Sequence, residues 1–457
     1  MTDGRREVMG ELDRFAQASP KWMNSAGETV IGVNLYGARK VTLQDSEGSE
    51  KFSDSNPGAV WINDGPNCDA FMRLRTSTPT TLFDAVLQYN DQPLFWQTIS
   101  TGTATATHLP NESSELLQVI TNGDWIIRQT KQYFRYQPGK SQMPLLTGVM
   151  GAIQPNVTRR IGYFDNENGL FFEQDGTNLR VVRRTKASGV VIDNPVNQSA
   201  WSEDKMDGNG PSGILLDISK AQIFFLDLEW LGVGGVRIGF VIDNKLYYVH
   251  KFLHANSLSN VYMTTANLPL RYELRATGVI TATATMRQIC STVLSEGGVE
   301  NEHGISHSVS NGVALISVTT RRPILSIRPK SAINSIANRS VILADSYDIL
   351  AMDKGAFYEI ILNGTLVSAT WTLNPGVNCA FEGDSNADAI TGGEVLTSGY
   401  IISSNQQKTS LARELSRKLA LSRDYLGTGY DILSIVVTSI TATATIIAAS
   451  ITAKEIY

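Results

Sequence analysis

Short runs that alternate apolar and polar residues at period two fill this chain from about Thr29 onward, and they leave few folds open. RRIGYFD, LFFEQDG, LRVVRRT, FFLDLEWLG, VRIGFVI and KLYYVHKFLH succeed one another between 159 and 254. Breaks rich in Asn, Asp and Gly separate them, such as NENG at 166–169 and Asp243-Asn244. Period two sends successive side chains to opposite faces of a strand. PILSIRP, SVILA, AFYEIILN and TLVSATW continue the pattern. Such regular spacing predicts a mainly β chain, built as a multi-domain antiparallel β-sandwich of jelly-roll or concanavalin-like kind. LLQVIT-NG-DWIIRQT, with Asn122-Gly123 at its centre, predicts a tight hairpin, because a type I′ turn needs positive φ twice.

The chain has 457 residues, which at ~100–200 per domain means two to four domains. The expected division is an N-terminal arm over 1–27, a β domain over 28–140, and sandwiches over 141–298 and 299–457. TATAT occurs at 103–107, 281–285 and 441–445. These domain-sized intervals read as matching strands ending three related modules. Two helices are expected. In Arg5–Gln17, Val8, Met9, Leu12 and Phe15 share one face; Pro20 stops it. It either caps its own domain or docks on a neighbouring subunit, which makes those four residues candidate oligomer contacts and a homo-oligomer the expected state. In Thr409–Arg423, Leu411, Ala412, Leu415 and Leu419 form the apolar stripe.

Charge excludes one class of partner. With 39 basic and 44 acidic residues the formal net charge is −5, so the basic footprint of a nucleic-acid binder is missing. Cys68, Cys290 and Cys379 are far apart and odd in number, which argues against a disulfide framework and for folding in a reducing cytoplasm. Ile432–Ile451 is uncharged and 20 residues long. Its hydroxyls and the alternation of Thr441, Thr443 and Thr445 with Ala442 and Ala444 predict strand rather than a membrane span.

Motifs for chemistry are incomplete. His250/His254 and His303/His307 are H-x-x-x-H pairs; a metal clip in the loop around His303 and His307 has no third ligand at a suitable spacing. Asp384, Asn386 and Asp388 are weak Ca²⁺ candidates, lacking the glycine at loop position six; Asp204, Asp207 and Asn209 are a second acidic loop. PGKS at 138–141 lacks the first glycine of a phosphate loop. Glu173 and Asp175 start an E-x-D-x-x-E glycosidase pattern, but Asn178 stands where the second Glu belongs. No catalytic residue, cofactor or firm metal site is therefore expected. Trp61, Trp96, Trp201 and Trp230 are candidates for a sugar platform on a glycan-binding adhesin, set against ordinary core positions.

Arg128–Gln129–Thr130 through Tyr133, then RYQPGKS over 135–141, resemble a signature of structural proteins of tailed phages, marine and cyanobacterial ones especially. GYFDNENGLFFEQDG, WSEDKMDGNGPSGILLD, WLGVGGVRIGFV, NLPLRYEL and MRQICSTVLSEGG extend the resemblance over roughly 100 to 300. It implies a non-enzymatic virion component that acts through assembly with other virion proteins, with a host surface glycan as an alternative ligand.

Overall fold

The structure, a computed structural model, describes residues 78–297, 304–402 and 420–456, with Asp69 and the short strands Gly32–Val33, Arg39–Lys40 and Gln406–Ser410. The chain separates into two compact units, 1–65 and 66–457. In the first, Gly32–Val33 pairs antiparallel with Arg39–Lys40. The expected helix Arg5–Gln17, with Val8, Met9, Leu12 and Phe15, lies outside the described residues, as does Trp61.

The second unit holds two sandwiches. The strands of the first are β1 (Thr80–Val86), β2 (Trp96–Ser100), β3 (Thr105–Leu109), β4 (Ser114–Val119), β5 (Trp125–Thr130), β6 (Gln142–Val149), β7 (Val157–Phe164), β8 (Gly169–Asp175), β9 (Asn178–Thr185), β10 (Ile192–Asn197), β11 (Gln222–Leu228), β12 (Val236–Ile242), β13 (Lys245–Phe252), β14 (Leu270–Ala276) and β15 (Ala284–Ser295). One sheet runs β10-β9-β8-β7-β14-β5-β2, and the other β13-β12-β11-β6-β15-β4-β3, with β1 also on β15. The alternation is realised as expected. Leu170 and Phe172 of β8 point inward, and Phe172 meets Phe224, Phe240 and Trp201 in a single core shared by both sheets.

The second sandwich comprises β16 (Ile305–Ser310), β17 (Ile316–Val318), β18 (Arg322–Pro329), β19 (Val341–Ala351), β20 (Ala356–Leu362), β21 (Phe381–Asp384), β22 (Glu394–Ile401), β23 (Gln406–Ser410), β24 (Leu433–Ser439) and β25 (Thr445–Ile456). Its sheets run β16-β25-β19-β23 and β21-β18-β24-β20-β22, and β17 joins β25. Between them Ile327, Ile360, Ile435, Ile349 and Ile451 form a second core.

Three expectations are corrected. The boundary at 140/141 does not exist: β4 and β5, before it, hydrogen-bond β15 and β14, at the far end of the first sandwich. The Asn122-Gly123 turn does not close a hairpin, because β4 and β5 lie in opposite sheets. Gly123 takes φ +87, and the turn carries the chain over the edge of the sandwich. The Asp124 carboxylate holds it there, accepting from Thr121 N (2.9 Å) and from Thr103 N and Oγ1. The expected helix Thr409–Arg423 fails at both ends. Residues 406–410 are strand β23, whose backbone pairs with the open edge of β19, and Leu421 and Arg423 bridge to Ile342 and Tyr430. Positions 411–419 lie outside the described residues.

The TATAT segments do not end three modules, since 103–107 and 281–285 both lie in the first sandwich, but all three share one placement. Each leaves a strand of one sheet (β2, β14 or β24) and enters a strand of the facing sheet (β3, β15 or β25). The uncharged run 432–451 is thus two strands on opposite sheets joined by a turn. No helix among the described residues is long and apolar enough to cross a membrane.

The interleaving can be tested by truncation. A fragment of residues 141–298 removes one hydrogen-bonded neighbour (β5) from β14 and two (β4 and β1) from β15, and strips Phe83, Trp96, Leu117 and Ile126 from the core. We expect no cooperative thermal transition from it by near-ultraviolet circular dichroism. A sharp transition would show that the module folds without 66–140.

Candidate functional site

Two surfaces collect polar and aromatic side chains suited to ligand chemistry. The first is the outer face of the β10–β2 sheet. Register sets Arg180, Glu173, Arg160 and Glu273 directly side by side on β9, β8, β7 and β14. Arg160 Nε donates to Glu173 (2.7 Å) and its Nη1 to Glu273 (3.0 Å). Arg271 and Arg275, two residues either side on β14, also donate to Glu273. Asp175 takes Arg180 (2.8 Å) and Thr158 (3.0 Å). Gly162, in the neighbouring row, leaves room for Phe171, since a Cβ there would stand 2.7 Å from the Phe171 Cβ.

The acids of the row are closed to solvent. Glu273 and Arg271 are fully buried and Glu173 nearly so, while Arg160 and Arg180 stay partly exposed. A loop of the second sandwich covers the Arg271 end. Tyr425 lies over Arg271, 5.0 Å from guanidinium carbon to ring centre, and donates through its hydroxyl to Asn166 (2.7 Å). Burial alone would raise the Glu273 pKa. The charges of Arg271, Arg160 and Arg275 outweigh it and hold the carboxyl well below the usual range. A retaining glycosidase needs one carboxyl kept protonated beside an ionised partner; Glu273 is held in the opposite state. So the sequence reading found Glu173 and Asp175 but missed Glu273. Its signal was Arg271, Glu273 and Arg275 at alternate positions of one strand.

The second surface is a cleft on the second sandwich. Trp371 lies in the loop before β21 and Tyr430 just before β24. Their ring centres are 6.3 Å apart at 73°. Arg328 of β18 fixes both, with its guanidinium carbon 4.1 Å from the centre of Trp371 and 4.2 Å from that of Tyr430. It is anchored by Glu382 on the neighbouring strand (2.7 Å) and also donates to the Tyr430 hydroxyl. Asn363 takes left-handed φ at the end of β20 and pins the opposite wall: its amide donates to Asp431 (2.9 Å) and its carbonyl accepts from Ile432 N (3.0 Å). Asn363, Thr365, Leu366, Trp371, Tyr430 and Ile432 line an open cavity of about 370 Å³.

The other sequence candidates have structural roles. Trp96 and Trp201 are buried, and Trp230 is half-buried with its Nε1 donating to Met263 O (3.1 Å), so they form no platform. Asp384 is buried and accepts from the backbone of Thr370, Asn386 and Ala387, as a turn anchor does. Asn386 turns its amide to Thr370, and Asp388 is exposed beside Arg322 (3.6 Å), so the three do not converge on one point. Asp204 likewise accepts from Met206 N and Ser212 N. His250 accepts from Ser202 N; His254 hydrogen-bonds Gly234 O (2.6 Å) and stacks on Tyr262. Burial pulls the His254 pKa down to about 4. In PGKS, Ser141 donates to Asp227 (2.7 Å) and Lys140 to Gly297 O (3.2 Å), which ties the segment to the fold. His303 lies outside the described residues.

No known protein family matches the chain, and no curated protein matches it. Solved structures do. A glycoside hydrolase family protein from Mycobacterium thermorestibile is 12% identical over 46% of this chain and 99% of its own, with TM-score 0.33. A glycoside hydrolase family 16 endo-glucanase from Bacteroides ovatus is 11% identical over 46% and 99%, with TM-score 0.32. The Crh5 transglycosylase is 14% identical over 51% and 91%, with TM-score 0.31. These neighbours are glycan-active enzymes and not virion proteins. The expectation of a non-enzymatic virion structural component is corrected accordingly. Likeness at this level concerns the fold alone, so chemistry has to be read from this chain's own side chains.

The buried row makes stability depend on acid. Because the folded pKa of Glu273 is depressed, its contribution is fully present above the unfolded value of about 4.3 and is lost as pH falls toward the folded one. Glu273→Gln should cost roughly 3–5 kcal/mol at neutral pH, as breaking a buried ion pair does. The mutant's urea midpoint should also fall less steeply below about pH 4. Parallel pH profiles of the two proteins would refute the assignment.

Proposed function

We propose that this chain binds glycans, through the Trp371–Tyr430 cleft. The observation that carries the reading is the preset pair of rings. A sugar offers apolar C–H faces and a rim of hydroxyls. Aromatic rings supply the stacking surface for the first, and amide and hydroxyl groups the partners for the second. Trp371 and Tyr430 provide the rings, and Asn363 and Thr365 the polar rim. Arg328 holds both rings before any ligand arrives, which lowers the ordering cost of binding. The cleft is open to solvent, so a ligand can reach both rings.

The purified full chain on a glycan array should retain at least one class of polysaccharide. Titration calorimetry should then show Trp371→Ala weakening that binding about tenfold or more, the loss expected for a central aromatic anchor. The same variant should keep its thermal midpoint, since Trp371 is only half-buried. A reducing-sugar assay on the retained polysaccharide reads whether cleavage accompanies binding. An empty array, or binding indifferent to Trp371→Ala and Tyr430→Ala, would overturn the proposal.

A further inference from the structure

At one end of the second sandwich three unlike side chains converge from distant parts of the chain. His307 is on β16, Glu455 on β25, and Cys379 in the loop just before β21. Their donor atoms all lie within 4.8 Å of one another. Cys379 Sγ donates to Glu455 Oε1 (2.6 Å), and His307 Nε2 is 4.0 Å from the same oxygen. Alternation explains the convergence. On β25, Ile447, Ala449, Ile451 and Ala453 face the core, and Glu455 is the next residue in that series. On β16, His307 shares the inward face with Val309. His307 is register partner to Ala453, and Ile305 to Glu455, so His307 and Glu455 are diagonal neighbours across the ladder.

A carboxylate at a core-facing position is costly unless something compensates its charge. Glu455 is fully buried and Cys379 nearly so, while the His307 side chain is a quarter exposed and opens the cluster to solvent. The loop closes over the cluster at Gly376, where a Cβ would stand 3.6 Å from the His307 ring.

We propose that His307, Cys379 and Glu455 form a zinc site. Thiolate, imidazole and carboxylate are zinc's three protein donors. The sulfur disfavours magnesium and calcium, which take oxygen ligands. Three protein ligands leave a fourth position for water or a further ligand, on the exposed His307 side. On binding, the Cys379 proton leaves to solvent and the sulfur–zinc bond replaces the hydrogen bond to Glu455. The three ligands are 72 and 76 residues apart in sequence (379 − 307 and 455 − 379). Bound zinc would therefore close the loop onto two strands of the facing sheet.

The test uses the full chain, stripped with chelator and returned to metal. Zinc competed against a chromophoric chelator should bind at one equivalent. Cobalt(II) should give the visible bands of a four-coordinate site and a near-ultraviolet thiolate-to-cobalt charge-transfer band. Cys379→Ser should lose the charge-transfer band, and His307→Ala should weaken zinc binding about tenfold or more. His307 is partly exposed, so that variant decides the matter if the Cys379 variant does not fold. Zinc should also raise the thermal midpoint of the wild-type chain but not that of His307→Ala. Absence of stoichiometric zinc uptake, a charge-transfer band that survives Cys379→Ser, or equal zinc affinity in His307→Ala would each refute the site. None of these readouts involves a glycan, so the zinc site and the aromatic cleft stand or fall separately.

Discussion

A carboxylate shut away from water has to be neutralised by its neighbours, and much of the first sandwich is arranged around that requirement at Glu273. Three arginines converge on it, and one of them, Arg160, also holds Glu173. Because Arg160 sits directly opposite both carboxylates in the register, the strand order β8-β7-β14 is written into the charges as well as the hydrogen bonds. A one-residue slip of β7 would turn Arg160 into the apolar core and take its guanidinium away from both acids. The same row gives the second sandwich its seat, since Tyr425 lies over Arg271 and Tyr425 N donates to Gln97 on β2 (2.8 Å). Contact between the sandwiches therefore depends on a face that the sequence would assign to solvent.

That face shows how far period two can be read. Alternation correctly placed the strands, including the successive runs that form β7-β8-β9 and β11-β12-β13. It says nothing about which sheet a strand joins. Asn122-Gly123 has the composition of a hairpin turn, and local chemistry alone would make it one. The distant partners of β4 and β5 decide otherwise, because β15 and β14 lie in different sheets. Asp243-Asn244 has an equally good turn signal and does close a hairpin, both residues taking positive φ, because β12 and β13 find no stronger competing partners. The TATAT segments follow the same logic. Their alternation reads as mid-strand, yet each spans a crossing, where short side chains and hydroxyls suit a chain turning over a sheet edge. Thr441 and Thr443, for example, hydrogen-bond within their own turn.

Sites were less legible than strands. Of the candidate platform tryptophans among the described residues, Trp96 and Trp201 are core and Trp230 is half-buried. Nothing local marks Trp371, because its role depends on Arg328, 43 residues earlier (371 − 328), and on Tyr430, 59 residues later (430 − 371). In the sequence His307 is half of an H-x-x-x-H pair with no third ligand at a suitable spacing. The sandwich supplies Cys379 and Glu455 from elsewhere. One trace of this was present locally: Glu455 interrupts an otherwise apolar inward series on β25, the kind of local conflict expected at a functional site.

Trp371 and Cys379 lie eight residues apart (379 − 371) on the same connection into β21. At either end the connection is tied down by different means. Near Trp371, Thr370 N donates to Asp384 (2.7 Å), and Leu373 bridges to Gly383. Near Cys379, Lys330 reaches Asn374 (2.8 Å) and Gly376 O (3.3 Å), and Cys379 N donates to Gly376 O (3.2 Å). A segment of this length held in one conformation costs backbone entropy at every residue, ~1–2 kcal/mol each. Because both ends are tied to the fold before any ligand arrives, most of that cost is met on folding, and Trp371 and Cys379 are each presented from an ordered segment.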